Sequence, residues 1–289
     1  MKKLTVLTPA KLNLTLDVLG VNGNYHDIES LVVSINVFDK ITVKARADSK
    51  ITLLTKGREV DCPVIENNAY KAAKLFVDEF GTTGVDIIVE KNIPVAGGLG
   101  GSSADIAGVL NALNDLYGIR GEIELLANDL GSDAAYMLHG GAAVLKGRGE
   151  IVERSDADRK IYLLLITDDT LVTARNCYKK FDQKKKTYEP ITAKAERVLY
   201  TGDLTRLFPM LKNDLESAAA ELAPNIKHNI FNLKKAGAEN ALVAGSGPTV
   251  YGVFEEKAKR DKAFKTLSAL YGKQLIKAET VVKIDGKYV

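Results

Sequence analysis

Four glycines in five positions, Gly97-Gly98-Leu99-Gly100-Gly101, stand between Pro94-Val95-Ala96 and Ser102-Ser103-Ala104. Glycine at this density lets the backbone take positive φ and approach a ligand with no Cβ in the way. A short strand-like run, Val85 to Val89, precedes the loop, and a helical pattern of Ile106, Leu110, Leu113 and Tyr117 follows it. Strand, glycine loop and helix N-terminus together make an anion cradle, most often for phosphate, because free N–H groups and the positive end of the helix dipole converge there. Ser102 and Ser103 add hydroxyl donors or cap the helix. The competing reading is a tight turn with no ligand, but the glycine content exceeds what a turn needs. The sequence has no GxxxxGK[ST], the third glycine of a dinucleotide loop is replaced by Ser103, and the protein-kinase HRDxxxxN is missing.

Two further stretches carry chemical groups. In Pro9-Ala10-Lys11-Leu12-Asn13, the lysine and asparagine are two apart in a strand-like run, so they share a face. Either that face lines a site, or the strand is an edge with solvated polar groups. In Leu130-Gly131-Ser132-Asp133-Ala134, an aspartate sits among small and apolar residues, as a functional carboxylate or as a helix cap.

Elements must hold these groups. Strands are expected over 4–18, 31–47, 85–89 and 161–166, with two more around Gly245-Ser246-Gly247-Pro248 and a last one near 279–284. Helices are expected over 68–80 with Asn67 or Asn68 as cap, up to a stop at Gly118, and over 122–130, 176–182, 190–200, 203–220, 226–236 and 256–271. Strands and helices in both halves indicate an α+β protein. The chain turns polar at Glu153-Arg154-Ser155-Asp156, which suggests domains over 1–155 and 156–289.

Composition narrows the function classes. In 289 residues, 46% are hydrophobic and 27% charged, enough apolar surface for a sizeable core. Lys plus Arg number 40 and Asp plus Glu 37, a net charge of +3 that gives no support for nucleic-acid binding. Cys62 and Cys177 form no CxxC, His26, His139 and His228 are too scattered for a metal cluster, and a reducing cytoplasm fits. Pro9 and Lys11 interrupt the first apolar stretch too early for a signal peptide, and no run reaches membrane-spanning length. The basic stretch Lys184-Lys185-Lys186 reads as a solvated loop.

Taken together, the glycine loop, PAKLNLTLDVLG at 9–20, Tyr25-His26, LGSD at 130–133, GRGE at 147–150, Asn213-Asp214-Leu215-Glu216 and AGSGPTVYGVF at 244–254 resemble the GHMP kinase superfamily in order and spacing. The likeness covers almost the whole chain. It narrows to the branch that phosphorylates the 2-hydroxyl of 4-diphosphocytidyl-2-C-methyl-D-erythritol in the non-mevalonate isoprenoid pathway. The resemblance implies a ribosomal-protein-S5-like N-terminal domain, a ferredoxin-like C-terminal domain and an active site in the cleft between them. It implies ATP and Mg²⁺ as cofactors and a cytidine-diphosphate-linked alcohol as substrate. No nucleic-acid or membrane partner is implied, and monomer and homodimer both stay open.

By the same resemblance, Asp133 is the base that takes the hydroxyl proton and Lys11 the cation that stabilises the developing alkoxide. Residues 94–104 hold the ATP phosphates. Asn13, Tyr25 and His26 hold the cytidine end, Tyr178 supplies a second aromatic, and Gly245 and Ser246 approach the substrate phosphates or form a plain hairpin turn. Some positions depart from the pattern: Ser102, Ala104 and Ile106 in the loop, Val21-Asn22-Gly23-Asn24 without the usual arginines, and Thr173-Ala174 where a hydroxyl pair is usual. Those departures leave two alternatives, a GHMP kinase for another alcohol and a nucleotide-binding regulator without turnover. Cys177 borders Tyr178, so alkylation there is expected to block the site.

Overall fold

A computed structural model of the chain describes every residue except Met1, Asn24, Arg120, Asp158, 185–188, Val282, 285–286 and Val289. Lys185, Lys186 and part of the expected 279–284 strand therefore lie outside the described residues. The first half runs β1 (Lys3–Asn13), β2 (Thr15–Asn22), β3 (Tyr25–Ala45), β4 (Ile51–Gly57), α1 (Asn68–Phe80), β5 (Val85–Lys91), α2 (Gly101–Tyr117), α3 (Ile123–Leu130), α4 (Ala134–Met137), β6 (Ala142–Gly147) and β7 (Ile151–Ser155). The second half runs β8 (Tyr162–Ile166), α5 (Ala174–Phe181), α6 (Thr192–Thr201), α7 (Leu204–Leu207), β9 (Lys212–Asn213), α8 (Glu216–Leu222), α9 (Asn225–Lys235), β10 (Asn240–Val243), β11 (Val250–Phe254), α10 (Lys257–Tyr271) and β12 (Leu275–Val281).

These elements form two compact units that are discontinuous in sequence. One comprises Met1–Ala10, Val37–Val95 and Gly100–Gly140; the other comprises Lys11–Asn36, Ala96–Leu99 and Gly141–Val289. The long strand β3 gives its later part to the first unit and its earlier part to the second.

In the first unit, β3 pairs antiparallel with β5 from Lys40↔Glu90 to Ala45↔Val85, and β5 pairs parallel with β4 from Ile51↔Val85 to Gly57↔Lys91. The parallel pair needs a crossover, and α1 supplies it. Asn67 caps α1 by accepting from Ala69 N, and Ala69, Ala72, Ala73 and Phe76 form its buried face. Helix α2 is buried along most of its length. Gly108 explains how closely it lies on the strands: a Cβ there would meet Thr8 Cγ2 at 2.4 Å and Ile41 Cγ1 at 2.6 Å. That contact fixes where the N-terminus of α2 points.

In the second unit, β3 pairs antiparallel with β2 and β6, and β6 turns back through Gly147-Arg148-Gly149-Glu150 into β7. A sheet in the order β10-β11-β8-β12 carries α9 and α10. Its core gathers Leu164, Ile166, Phe254, Ala263 and Leu267, all buried. Each large apolar side chain there contributes about 1.5–3 kcal/mol relative to exposure.

Several sequence expectations change. The run 4–18 is two strands, broken at Leu14, whose N–H bonds Leu31 O at 2.8 Å. The strand expected over 31–47 starts at Tyr25, so Tyr25 and His26 are strand residues. The helix expected over 203–220 breaks into α7, a 3₁₀ turn at Phe208–Met210, β9 and α8. Pro209 cannot donate a helical hydrogen bond, and the Lys212–Asn213 backbone pairs with β2 instead.

Candidate active site

Alternation along β1 turns Lys11 and Asn13 to one face, and in the second unit both are buried, 7% and 3% exposed. The reading as a solvated edge therefore fails. Lys11 Nζ donates to Asn13 Oδ1 at 2.7 Å, and Asn13 Nδ2 donates to Ser30 Oγ at 2.7 Å. Ser30 Oγ in turn donates to Thr15 O at 2.5 Å, and the Tyr251 hydroxyl donates to Asn13 O at 2.7 Å. A buried ammonium is costly unless it is bonded, so this relay sets the direction of Lys11.

The glycine loop meets this relay. Lys11 N donates to Leu99 O at 3.0 Å. A Cβ on Gly98 would fall 2.0 Å from Ala244 O, and one on Gly245 would fall 3.0 Å from Gly98 O and 3.4 Å from Asn13 Oδ1. Gly98 has φ 77° and Gly245 φ 53°. The segment 245–248 is a hairpin turn between β10 and β11, with Ala244 N bonded to Thr249 O at 2.8 Å, and it also packs backbone to backbone on the loop. Ser246 is half-buried in that turn. Asn213 holds the turn through Nδ2 bonds to Val243 O at 3.0 Å and Gly245 O at 2.7 Å. Glu216, from the same motif, accepts from Val243 N at 3.3 Å, and burial pushes its carboxyl above the usual range. The motif around Asn213 was legible, but its task of supporting the hairpin was not.

The remaining loop residues divide between the units. Ala96, Gly97, Gly98 and Leu99 belong with Lys11, while Pro94, Val95 and Gly100 to Ala104 belong to the first unit. Gly100, with φ 71°, is the residue before α2, and no side chain caps that helix. The capping expected of Ser102 or Ser103 is thus absent: both lie within the helix, Ser102 exposed and Ser103 buried. The 130–133 segment approaches the same turn, since a Cβ on Gly131 would lie 3.3 Å from Ser103 Oγ. Asp133, half-buried, precedes α4 but makes no side-chain capping bond to it. The cap reading does not account for this carboxylate.

In the second unit, His26 stacks on Tyr178 with ring centroids 4.6 Å apart and planes 21° apart, and meets Phe181 edge-on at 6.3 Å. His26 Nε2 hydrogen-bonds Asp182 Oδ1 at 2.8 Å. Tyr25 is 56% exposed, and the Arg148 guanidinium lies 4.7 Å from its ring centroid. The tertiary structure thus joins His26 to Tyr178, and Tyr25 to the GRGE turn.

The chain matches the GHMP kinases N terminal domain over residues 67–143 and the GHMP kinases C terminal domain over 195–273. It is 33% identical over 277 residues to the 4-diphosphocytidyl-2-C-methyl-D-erythritol kinase of Alkaliphilus metalliredigens (strain QYMF), covering 94% of both chains. The chain belongs to the GHMP kinase family. A crystal structure of 4-(cytidine 5'-diphospho)-2C-methyl-D-erythritol kinase superposes with TM-score 0.80 at 28% identity, over 96% of this chain and 98% of that one. Homoserine kinase from Cytophaga hutchinsonii, at 18% identity and TM-score 0.74, covering 100% of this chain and 98% of that one, shares the fold. The α+β class and the two-domain GHMP kinase fold expected from sequence are borne out, and the chain is an ATP-dependent small-molecule kinase.

Among the described residues of this kinase, no group of three or more His, Cys, Asp or Glu side chains could hold a metal ion, and no helix is long and apolar enough to cross a membrane. Cys177 is fully buried, its Sγ 3.9 Å from Leu215 O, and burial pushes its thiol up to about 12. The expected block by alkylation is overturned, because the thiolate is the reactive form. With a thiol reagent at pH 7.5, one cysteine (Cys62, half-buried) is expected to react promptly and Cys177 only on unfolding. Two fast equivalents in the native protein would contradict this.

Sequence reasoning passed over Asp39 and gave Lys91 and Asp105 no role together, yet the three form one buried cluster. Burial acts to lower Lys91, but Asp105 and Asp39 outweigh it and hold the amine above its ordinary value. Only Asp105 carried a signal, as the one charge in the otherwise apolar run Ala104 to Leu110.

Proposed function

We infer that this kinase transfers the γ-phosphoryl group of ATP to the 2-hydroxyl of 4-diphosphocytidyl-2-C-methyl-D-erythritol, a step in isoprenoid precursor synthesis by the non-mevalonate pathway. The end-to-end likeness to kinases named for that substrate supports the reading. The observation that carries it is the aromatic pair His26 and Tyr178, distant in sequence and stacked on each other, with Tyr25 exposed one residue before His26 in the chain, which suits a planar base. The reaction is assigned to the cytoplasm, in keeping with the two free cysteines. A division of the chain near 155 is part of the same reading, since the matched regions fall on either side of it.

The roles follow from the chemistry. An alcohol barely ionises at neutral pH, so Asp133 accepts its proton as it attacks phosphorus. Lys11, held by Asn13, stabilises the charge that develops on the oxygen. Residues 94–104 bind the ATP phosphates through backbone N–H groups. Asn13, Tyr25, His26 and Tyr178 recognise the cytidine end, and Gly245 and Ser246 meet the substrate phosphates through a turn with no bulky side chain.

Steady-state kinetics of Tyr25→Ala test the substrate. KM for the cytidyl substrate is expected to rise about tenfold or more, the worth of one lost stacking contact of roughly 1–3 kcal/mol, with KM for ATP within about twofold. Equal KM values in wild type and variant, with turnover of another GHMP alcohol, would assign the site to that alcohol.

A further inference from the structure

Three charged side chains lie buried in the first unit at the start of α2: Asp39 from β3, Lys91 from the end of β5 and Asp105 from α2 itself, exposed by 0%, 4% and 6%. Lys91 Nζ donates to Asp39 Oδ2 at 2.5 Å, to Asp105 Oδ2 at 2.7 Å and to Gly101 O at 3.2 Å. The last bond ties the cluster to the first residue of α2, directly after the glycine loop. The two carboxylates are not equivalent. Asp39 Oδ1 accepts two backbone N–H groups, from Asn92 at 2.6 Å and Ile93 at 2.9 Å, so its ionised form is well solvated by the protein. Asp105 Oδ1 is buried with no hydrogen-bond partner. A bare oxygen on an ionised carboxylate is costly in a dry site, whereas a protonated carboxyl loses less.

With both carboxylates ionised, two negative charges face one ammonium, and the surplus sits one turn inside the helix that begins after the loop. We propose that Asp105 is a proton-linked positioning residue: it carries a proton when a polyphosphate occupies the 94–104 loop, so nucleotide binding takes up a proton at the Asp39–Lys91–Asp105 cluster. The proposal rests on the reading of that loop as the ATP site. Burial supports it by pushing the Asp105 carboxyl up to about 7, against the pull of Lys91. The charged groups acting on Asp105 are Lys91 and Asp39. On the helices packed against α2, Asp78 pairs with Lys74, Glu124 pairs with His139, and Asp133 stands before α4.

The sign follows from the charge. Below pH about 7 Asp105 holds its proton, the cluster is neutral overall and the polyphosphate binds well. Above it, one surplus negative charge repels the phosphates, and affinity falls. By reciprocity, bound ATP raises the affinity of Asp105 for its proton. One unit charge about 10 Å away at an effective dielectric of about 20 is worth roughly tenfold in affinity.

Calorimetric titration of the full chain with magnesium ATP from pH 6 to 8.5 tests this in wild type and Asp105→Asn. Comparison at equal pH cancels the ionisation of ATP itself. Wild type is expected to weaken about tenfold more than the variant across the range, and at pH 7.5 to take up more protons on binding. Equal pH dependence in both proteins would overturn the proposal. If the variant does not fold, ¹³C-carboxyl NMR of wild type decides: a resonance of Asp105 that titrates near 7 and moves upward with ATP supports the proposal, and one that titrates below about 5 overturns it. No ATP binding at any pH would remove both the loop reading and the proposal, whereas tight, pH-independent binding removes the proposal alone.

Discussion

Replacing Asp133 with asparagine is expected to lower kcat by about 10²–10⁴-fold while leaving ATP affinity and the unfolding midpoint near wild type. Asparagine matches the carboxylate in size but cannot accept the hydroxyl proton. Asp133 is half-buried, and an amide of the same shape keeps its volume in place. Single-turnover measurements separate the phosphoryl-transfer step from ATP binding. A variant with wild-type turnover would remove the mechanism. A variant that lost ATP binding together with turnover would assign Asp133 to the nucleotide rather than to the proton.

Gly98→Ala is expected to damage both the fold and ATP binding strongly. Its Cβ would sit 2.0 Å from Ala244 O and 2.9 Å from Ala244 C, both rigid backbone atoms, and its φ of 77° is already unfavourable for alanine. Left-handed backbone costs about 1–2 kcal/mol and overpacking typically about 1–3 kcal/mol, so roughly 2–5 kcal/mol must be met by moving the loop off the 244–247 turn. The same movement strains the Lys11 N to Leu99 O bond next to the proposed phosphate site. KM for ATP should rise at least about tenfold, with a lower urea midpoint. Gly118→Ala is the control: its φ of 67° is similar, but no atom lies within 4 Å of the added methyl group. If both variants behave alike, φ and not the contact with Ala244 decides.

What could be read before folding was what depends on near neighbours. The helical spacing of Ala69, Ala72, Ala73 and Phe76, the Asn67 cap and the stop at Gly118 are local, and the structure keeps them. The glycine loop was legible because only glycine tolerates such backbone at such density. The 203–220 stretch was misread because its helical pattern is real on each side of Pro209, while Asn213 is drawn out of helix by carbonyls of the β10–β11 turn. Strand β4 was missed because Ile51–Gly57 is a strand largely through its parallel partner β5, which lies beyond α1 in the chain.

The sequence by itself determined the family and the α+β class, since motif order and local periodicity need no tertiary contact. Only the tertiary structure decided that Lys11 is buried and aimed through Asn13, that His26 stacks on Tyr178, that Gly98 touches Ala244, and that Asp39, Lys91 and Asp105 share one desolvated cluster. The physical reason is common to all four. Burial, and the cost of leaving a charge or polar atom without a partner, depend on which distant segments meet, and the spacing of residues along a chain does not record that.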